Sequence, residues 1–309
     1  MDGCPKRFHP RLSRTVSIPA RPDSSSRSEF PPHSPQKKSG IDPRRFYTAF
    51  AVIPLLYAGI TYSPAWLFSV FVGITVCLAL WEFLQLYFGS MRVEPTHLGC
   101  FLGAAGILLI MHGNYAPLLQ WIGLGVTLII LAGFFLNPYK MRQLLPPWMG
   151  YAFGVLYVAL LFGHFILLRQ LPQGIAMVFF VLIVTWLSDT GGFVFGIAFG
   201  RHPLAPVLSP KKTIEGFFGG ILFSIVGALL CQAWFAPFIS ISHSAIMGVV
   251  LAVFGTLGDL TESALKRSVQ VKDSGTLIPG HGGVLDRIDS LLLSAPVFYY
   301  YALFSGLTS

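Results

Sequence analysis

Nine runs of roughly twenty apolar residues recur along this chain, and no other feature limits its fold so tightly. They lie near 46–62, 65–88, 98–114, 116–136, 147–168, 175–199, 216–236, 241–262 and 288–306. A helix needs about twenty residues to cross a hydrocarbon core about 30 Å thick. Backbone in lipid must satisfy its own hydrogen bonds, and strand-like alternation is absent, so the pattern predicts an all-α polytopic transmembrane bundle of about nine helices. Composition excludes a soluble globule: 54% of residues are hydrophobic and 11% charged, with a mean hydropathy of +0.67.

Residues 1–45 differ in kind. They are rich in Ser, Pro and Arg, with ten Lys or Arg against four acids, the composition of a disordered basic tail. No apolar core follows the first basic residues as a cleavable signal would require. A basic tail suits an anionic lipid surface or nucleic acid, but a solvated extension held in place by charge accounts for it, and no nucleic-acid partner is expected. The chain therefore divides into this tail, the N-terminal and middle helices (46–174), and a C-terminal segment (175–309) that holds the chemistry. Cys4, Cys77, Cys100 and Cys231 show neither CxxC spacing nor neighbouring histidine pairs; they read as small packing residues.

Lys and Arg gather on the cytoplasmic side of membrane proteins. With nine spans, the tail and the loops after the second, fourth, sixth and eighth helices share a face, which collects every one of the 21 basic residues except Arg169. That predicts a cytoplasmic N-terminus, an external C-terminus, and both charged loops of the C-terminal segment in the cytoplasm.

Ionisable residues at membrane depth are costly and mark function unless paired. Asp189, in WLSDTGGFVFG, sits in the cytoplasmic half of the sixth run, followed by Gly191 and Gly192, which thin the backbone for a ligand or another helix. A buried ion pair that ties helices together is the alternative for Asp189. In the eighth run, Asp259, Glu262, Ser263 and Lys266 share one helix face. That stripe fits a salt-bridge seam neutralised by Lys266 as well as it fits a site. Glu82, His112 and His164 have no partners visible in the sequence and read as bundle-interior or interface groups.

The following loop shifts the balance toward a site. Lys272 and Asp273 lead into Pro279-Gly280-His281-Gly282-Gly283 and then Asp286-Arg287-Ile288-Asp289. Glycines free backbone N–H groups to point at an anion, while acids three apart share a helix side. Helix capping explains the acids alone, but not the cations beside them. Hard Mg²⁺ prefers carboxylate and phosphate oxygen, so Asp259, Asp286 and Asp289 are the expected ligands, converging from two neighbouring spans on one ion. No nucleophile with its own base is present, so metal-assisted phosphoryl or nucleotidyl transfer is indicated. A second loop, GRHPLAPVLSPKKTIEGFFGG, offers Lys211, Lys212 and Thr213 to a polyphosphate, with Glu215 placed to hold one of the lysines.

The stretch Ser263–Asp289 resembles the signature of the phosphatidate cytidylyltransferase (CDP-diacylglycerol synthase) family. Eleven fixed residues match over 27 positions: Ser263, Lys266, Arg267, Lys272, Asp273, His281, Gly282, Gly283, Asp286, Arg287 and Asp289. SDTGG and LAPVLSPKKTIEGFFGG are similar to other blocks of that family, so the resemblance is strong over 188–290 and rests on helix pattern over 46–180. It implies a Mg²⁺-dependent reaction of CTP with phosphatidic acid, giving CDP-diacylglycerol and pyrophosphate, in a bacterial inner membrane and by a homodimer. On that reading Lys266, Arg267, Lys272 and Arg287 hold phosphates, and Lys211, Lys212 and Thr213 complete the nucleotide side. Ser263 positions an oxygen or a metal-bound water, and His281 positions the glycine turn formed with Gly282 and Gly283, ahead of a role as general acid. Asp189 is left between a second, monovalent cation, orientation of a lysine, and packing.

Two rivals are weaker. A CDP-alcohol phosphotransferase would carry a DGxxAR arrangement, which is absent. A secondary transporter would place ionisable residues near the midplane of two related halves, whereas here the charge crowds one face of the C-terminal half.

Overall fold

The computed structural model describes residues 53–89, 95–113, 117–271 and 283–307. Prolines stand at the first position of several helices, where the missing N–H costs nothing and φ is already helical. Helix α1 covers 53–61. Helix α2, Ala65–Phe88, follows Pro64 and stops at Gly89, whose φ of 66° lets its N–H reach back to the Gln85 carbonyl. Then come α3 (Pro95–His112), α4 (Pro117–Leu136) and a short α5 (Pro138–Leu144), which is capped by the Asn137 side chain accepting from Lys140 N at 2.9 Å. Helix α6, Pro147–Gln170, contains a π-turn at Leu156–Leu160, and α7 spans Gly174–Phe199. An antiparallel ribbon follows, β1 (Pro203–Ala205) with β2 (Ser209–Thr213), in register Pro203↔Thr213 and Ala205↔Ser209. The chain ends with α8 (Ile214–Trp234), α9 (Ile241–Ser268) and α10 (Leu285–Phe304).

Seven helices, α2, α3, α4, α6, α7, α8 and α9, are long and apolar enough to cross a membrane. This is an integral membrane protein of all-α architecture. The expected count of nine is not reached by that measure, because α1 is described only from residue 53 and the first turns of α10 carry Asp286, Arg287 and Asp289. Three features depart from expectation. The ribbon and α5 are too short to show a hydrophobic period. Helix α9 continues to Ser268, beyond 262, so the charged stripe lies wholly on the helix. Helix α10 starts at Leu285 rather than 288.

Side-chain hydrogen bonds define two ends of the bundle. At one, the Arg142 guanidinium donates to the Tyr87 carbonyl (3.0 Å) at the end of α2 and the Ser268 carbonyl (3.3 Å) at the end of α9. At the other, Arg169 donates to the Ser63 carbonyl, Gln170 to the His112 carbonyl, and His112 Nδ1 meets Ser69 Oγ at 2.9 Å. The ribbon and the start of α10 belong to the Arg142 end.

Helix α6 is the most enclosed of the seven, with 83% of its window buried. Its π-turn frees backbone carbonyls, and the fully buried His164 donates from Nδ1 to that of Leu160 at 2.8 Å. Before the turn, α6 packs through aromatic rings: Phe153 against Phe134 (5.6 Å) and Phe83 (5.8 Å). Helices α7 and α8 meet differently. A Cβ added at Gly191 would lie 2.6 Å from the Gly219 carbonyl oxygen, and one at Gly216 2.7 Å from that of Gly192, so backbone packs on backbone. The Gly191–Gly192 pair does not interrupt α7, which runs through it unbroken.

Candidate active site

At the Arg142 end, α7, α8, α9, α10 and the ribbon enclose a cavity of about 510 Å³. Helix α7 supplies Ser188, Asp189 and Gly192; β2 supplies Lys211, Lys212 and Thr213; α9 supplies Thr256 and Asp259; α10 supplies Asp286 and Asp289. Residues separated by a hundred positions thus face one space.

The local structure explains each placement. Thr213 ends β2 and caps α8, its Oγ1 accepting from Gly216 N at 3.1 Å, so the two lysines before it are carried on a strand fixed to a helix start. Gly258 has no side chain because the Asp289 carbonyl occupies that space, which draws α9 onto α10 and brings Asp259 beside the acids of α10. Ser290 links α10 to α7: its Oγ donates to Asp189 Oδ2 at 3.1 Å, and its backbone N–H to Asp289 Oδ1 at 2.7 Å.

Charge is arranged in pairs across elements. Lys212 Nζ lies 2.6 Å from Asp259 Oδ2. Lys266 bridges Glu262 Oε2 (2.6 Å, one turn earlier on α9) and Asp286 Oδ1 (2.9 Å). The other oxygen of Asp286 accepts from Gly283 N at 3.1 Å. Ser263 Oγ stands 3.5 Å from Asp259 Oδ1, at the long limit of a hydrogen bond. Arg267 Nε donates to the Leu208 carbonyl at 3.2 Å, tying α9 to the ribbon turn.

Several sequence expectations change in detail. Lys266 is engaged by Glu262 of its own helix, as the salt-bridge alternative has it, and also by Asp286 of α10. Arg267 serves the ribbon, and Arg287 is exposed on α10 outside the cavity wall. Glu215 holds no lysine: it accepts from Arg201 N (3.0 Å) and His202 N (3.2 Å) and meets His202 Nδ1 at 2.5 Å, so it braces the entry to the ribbon. Lys272, Asp273, His281 and Gly282 lie outside the described residues. Ser188, Thr256 and Ser290 escaped sequence reasoning because isolated hydroxyls in apolar runs are common. Gly258 carried a usable signal, a glycine beside an acid in a buried helix.

The donor set suits a hard divalent cation, since every candidate ligand is a carboxylate or hydroxyl oxygen. The expected three-oxygen cluster is not formed: among the described residues, no three His, Cys, Asp or Glu side chains lie close enough together to hold an ion. Asp259 pairs with Lys212 and Asp286 with Lys266.

A model of the cytidylyltransferase family matches residues 43–305. The chain belongs to that family. Among its relatives, the phosphatidate cytidylyltransferase of Staphylococcus epidermidis is 35% identical over 259 residues, 81% of this chain and 95% of that protein. The Staphylococcus aureus protein of the same name is 34% identical over 255 residues, with the same coverage of both chains. The one from Bacillus subtilis is 44% identical over 154 residues, 49% of this chain and 57% of that protein. This cytidylyltransferase has Asp189, Asp259, Asp286 and Asp289 gathered with Lys211 and Lys212 around one cavity.

Proposed function

We propose that this membrane enzyme is a phosphatidate cytidylyltransferase, joining CTP to phosphatidic acid to give CDP-diacylglycerol and pyrophosphate. The observation that carries the reading is the cavity itself, where acids from α7, α9 and α10 face the lysines of β2 in a chain of this family. A phosphate oxygen of the lipid attacks the α-phosphorus of CTP, the bond from that phosphorus to the bridging oxygen breaks, and pyrophosphate leaves. The attacking oxygen is already anionic, so no general base and no covalent enzyme intermediate is needed. The protein's task is to bring two repelling anions together in line and hold them there.

Lys211 and Lys212 on β2 receive the triphosphate, with Thr213 fixing the strand on which they stand. Asp259, Asp286 and Asp289 would hold Mg²⁺, in competition with the lysines that now pair with Asp259 and Asp286. When bound, that ion neutralises charge that builds on the phosphates and the leaving group. Lys266, held between Glu262 and Asp286, keeps α9 and α10 in step. The cavity lies at the face predicted to be cytoplasmic, where soluble CTP meets the lipid headgroup. With α1 and α10 completing nine spans, the N-terminus is inside and the C-terminus outside, in a bacterial inner membrane, and the working unit is a homodimer.

Purified protein supplied with labelled CTP, phosphatidate and Mg²⁺ should form CDP-diacylglycerol and pyrophosphate in equal amounts. Folded protein that yields no liponucleotide would overturn the assigned reaction. Asp286→Asn should lower turnover by at least about a hundredfold, and full activity in that variant would remove the metal assignment.

A further inference from the structure

Helix α10 begins without a cap of its own. Val284, at its N-cap position, is already helical (φ −66°, ψ −39°) and offers no side-chain acceptor, although the first amides of any helix lack partners within it. The Leu285 amide finds its acceptor on another helix: Glu82 Oε2, in α2, accepts from Leu285 N at 2.8 Å. Both residues are fully buried. Glu82 Oε1 is buried too and has no hydrogen-bond partner among the described residues. An acid this deep is costly unless it serves a purpose, and Glu82 does not line the cavity. What it touches is the residue before Asp286, one turn from Asp289.

We infer that Glu82 is a positioning residue for the transfer reaction, capping α10 from α2 and so fixing where Asp286 and Asp289 enter the cavity. The inference rests on the reaction proposed above, and Glu82 itself touches no substrate. The carboxylate oxygen supplies the missing acceptor. Together with Arg142, which holds the end of α9 to the last turn of α2, it makes α2 the common anchor of the helix ends on either side of 272–282.

The test compares full-length wild type, Glu82→Gln and Glu82→Leu in vesicles that contain phosphatidate. Gln keeps an acceptor oxygen at nearly the same volume; Leu keeps the volume alone. Glu82→Leu should lower kcat by about tenfold or more and leave KM for CTP within about twofold. It should also speed amide hydrogen exchange at the start of α10 by about tenfold, and not in α8. Gln should stay within about threefold of wild type in both measurements. Wild-type turnover in the Leu variant, or exchange that rises evenly along every helix, overturns the inference. So does a Gln variant as impaired as Leu, which would assign the effect to charge. If the Leu variant does not fold, Glu82→Asp, one methylene short of Leu285, takes its place with the same expected losses. A wild-type chain that makes no liponucleotide overturns the reaction instead, and the exchange comparison then decides the cap alone.

Discussion

Glycine makes close contacts with a neighbouring helix's backbone in α7–α10 and, among the described residues, none in α2–α6. In α2–α6 the space beside a glycine is filled by the tip of a flexible or aromatic side chain: Tyr87 Cε1 stands 2.7 Å from where a Cβ of Gly150 would be, and Met111 Sδ at 2.5 Å from that of Gly163. In α7–α10 that space holds backbone at three close contacts, the Gly219 carbonyl against Gly191, the Ile225 Cα against Gly248 and the Asp289 carbonyl against Gly258, although the Phe195 side chain fills it at Gly219 and that of Leu187 at Gly227. A side-chain tip yields to an added methyl by rotating, whereas a neighbouring backbone yields only when a whole helix moves. At the three backbone contacts local change therefore becomes helix displacement, and at Gly258 it displaces Asp289 itself.

Gly258→Ala tests this contrast most severely. The added methyl must push α9 from α10, and turnover should fall by about a hundredfold, the cost of roughly an ångström of misplacement; an alanine enzyme of normal turnover, assayed by CDP-diacylglycerol formation, would remove the contrast. Arg142→Ala frees the end of α9 from α2 without adding bulk, and turnover should fall by about tenfold, since charge-assisted hydrogen bonds are the stronger kind. Phe83→Ala, in the aromatic cluster, should cost roughly 3 kcal/mol in unfolding measurements, yet change turnover by less than about threefold below the unfolding temperature. Gly154→Ala meets the Phe83 ring; it should destabilise by about 1 kcal/mol and leave turnover unaltered.

Most of the helices were legible because each crossing needs its own run of apolar residues, and the run is its own signal. The start of α9 at Ile241 and the end of α7 at Phe199 are read from such runs directly. The ribbon was not legible: SPKKT contains no apolar alternation, and its strand form comes from pairing with Pro203–Ala205 and from the Thr213 cap. Within the site, the residue types and their common cavity could be anticipated from the stripe on α9 and the acids of α10. Their partners could not. Lys212 meets Asp259 across 47 positions and Lys266 meets Asp286 across 20, distances over which sequence spacing carries no geometric information. Glu215 was misassigned to a lysine for a related reason, because the amides of Arg201 and His202 reach it only once the ribbon has folded back. Glu82 stood alone in its helix until α10 arrived from the far end of the chain.

The π-turn in α6 has a consequence for how the family's length can vary. A π-turn accommodates one residue more than an α-helical winding does. Deleting one of residues 156–160 would let the turn close as ordinary α-helix and leave Leu161–Gln170 close to its present phase relative to the part before it. His164 would still face Tyr300, and Arg169 would still face Ser63. The same excision in the regular winding on either side would turn every later side chain by about 100°, so this turn is where the helix has a residue to spare.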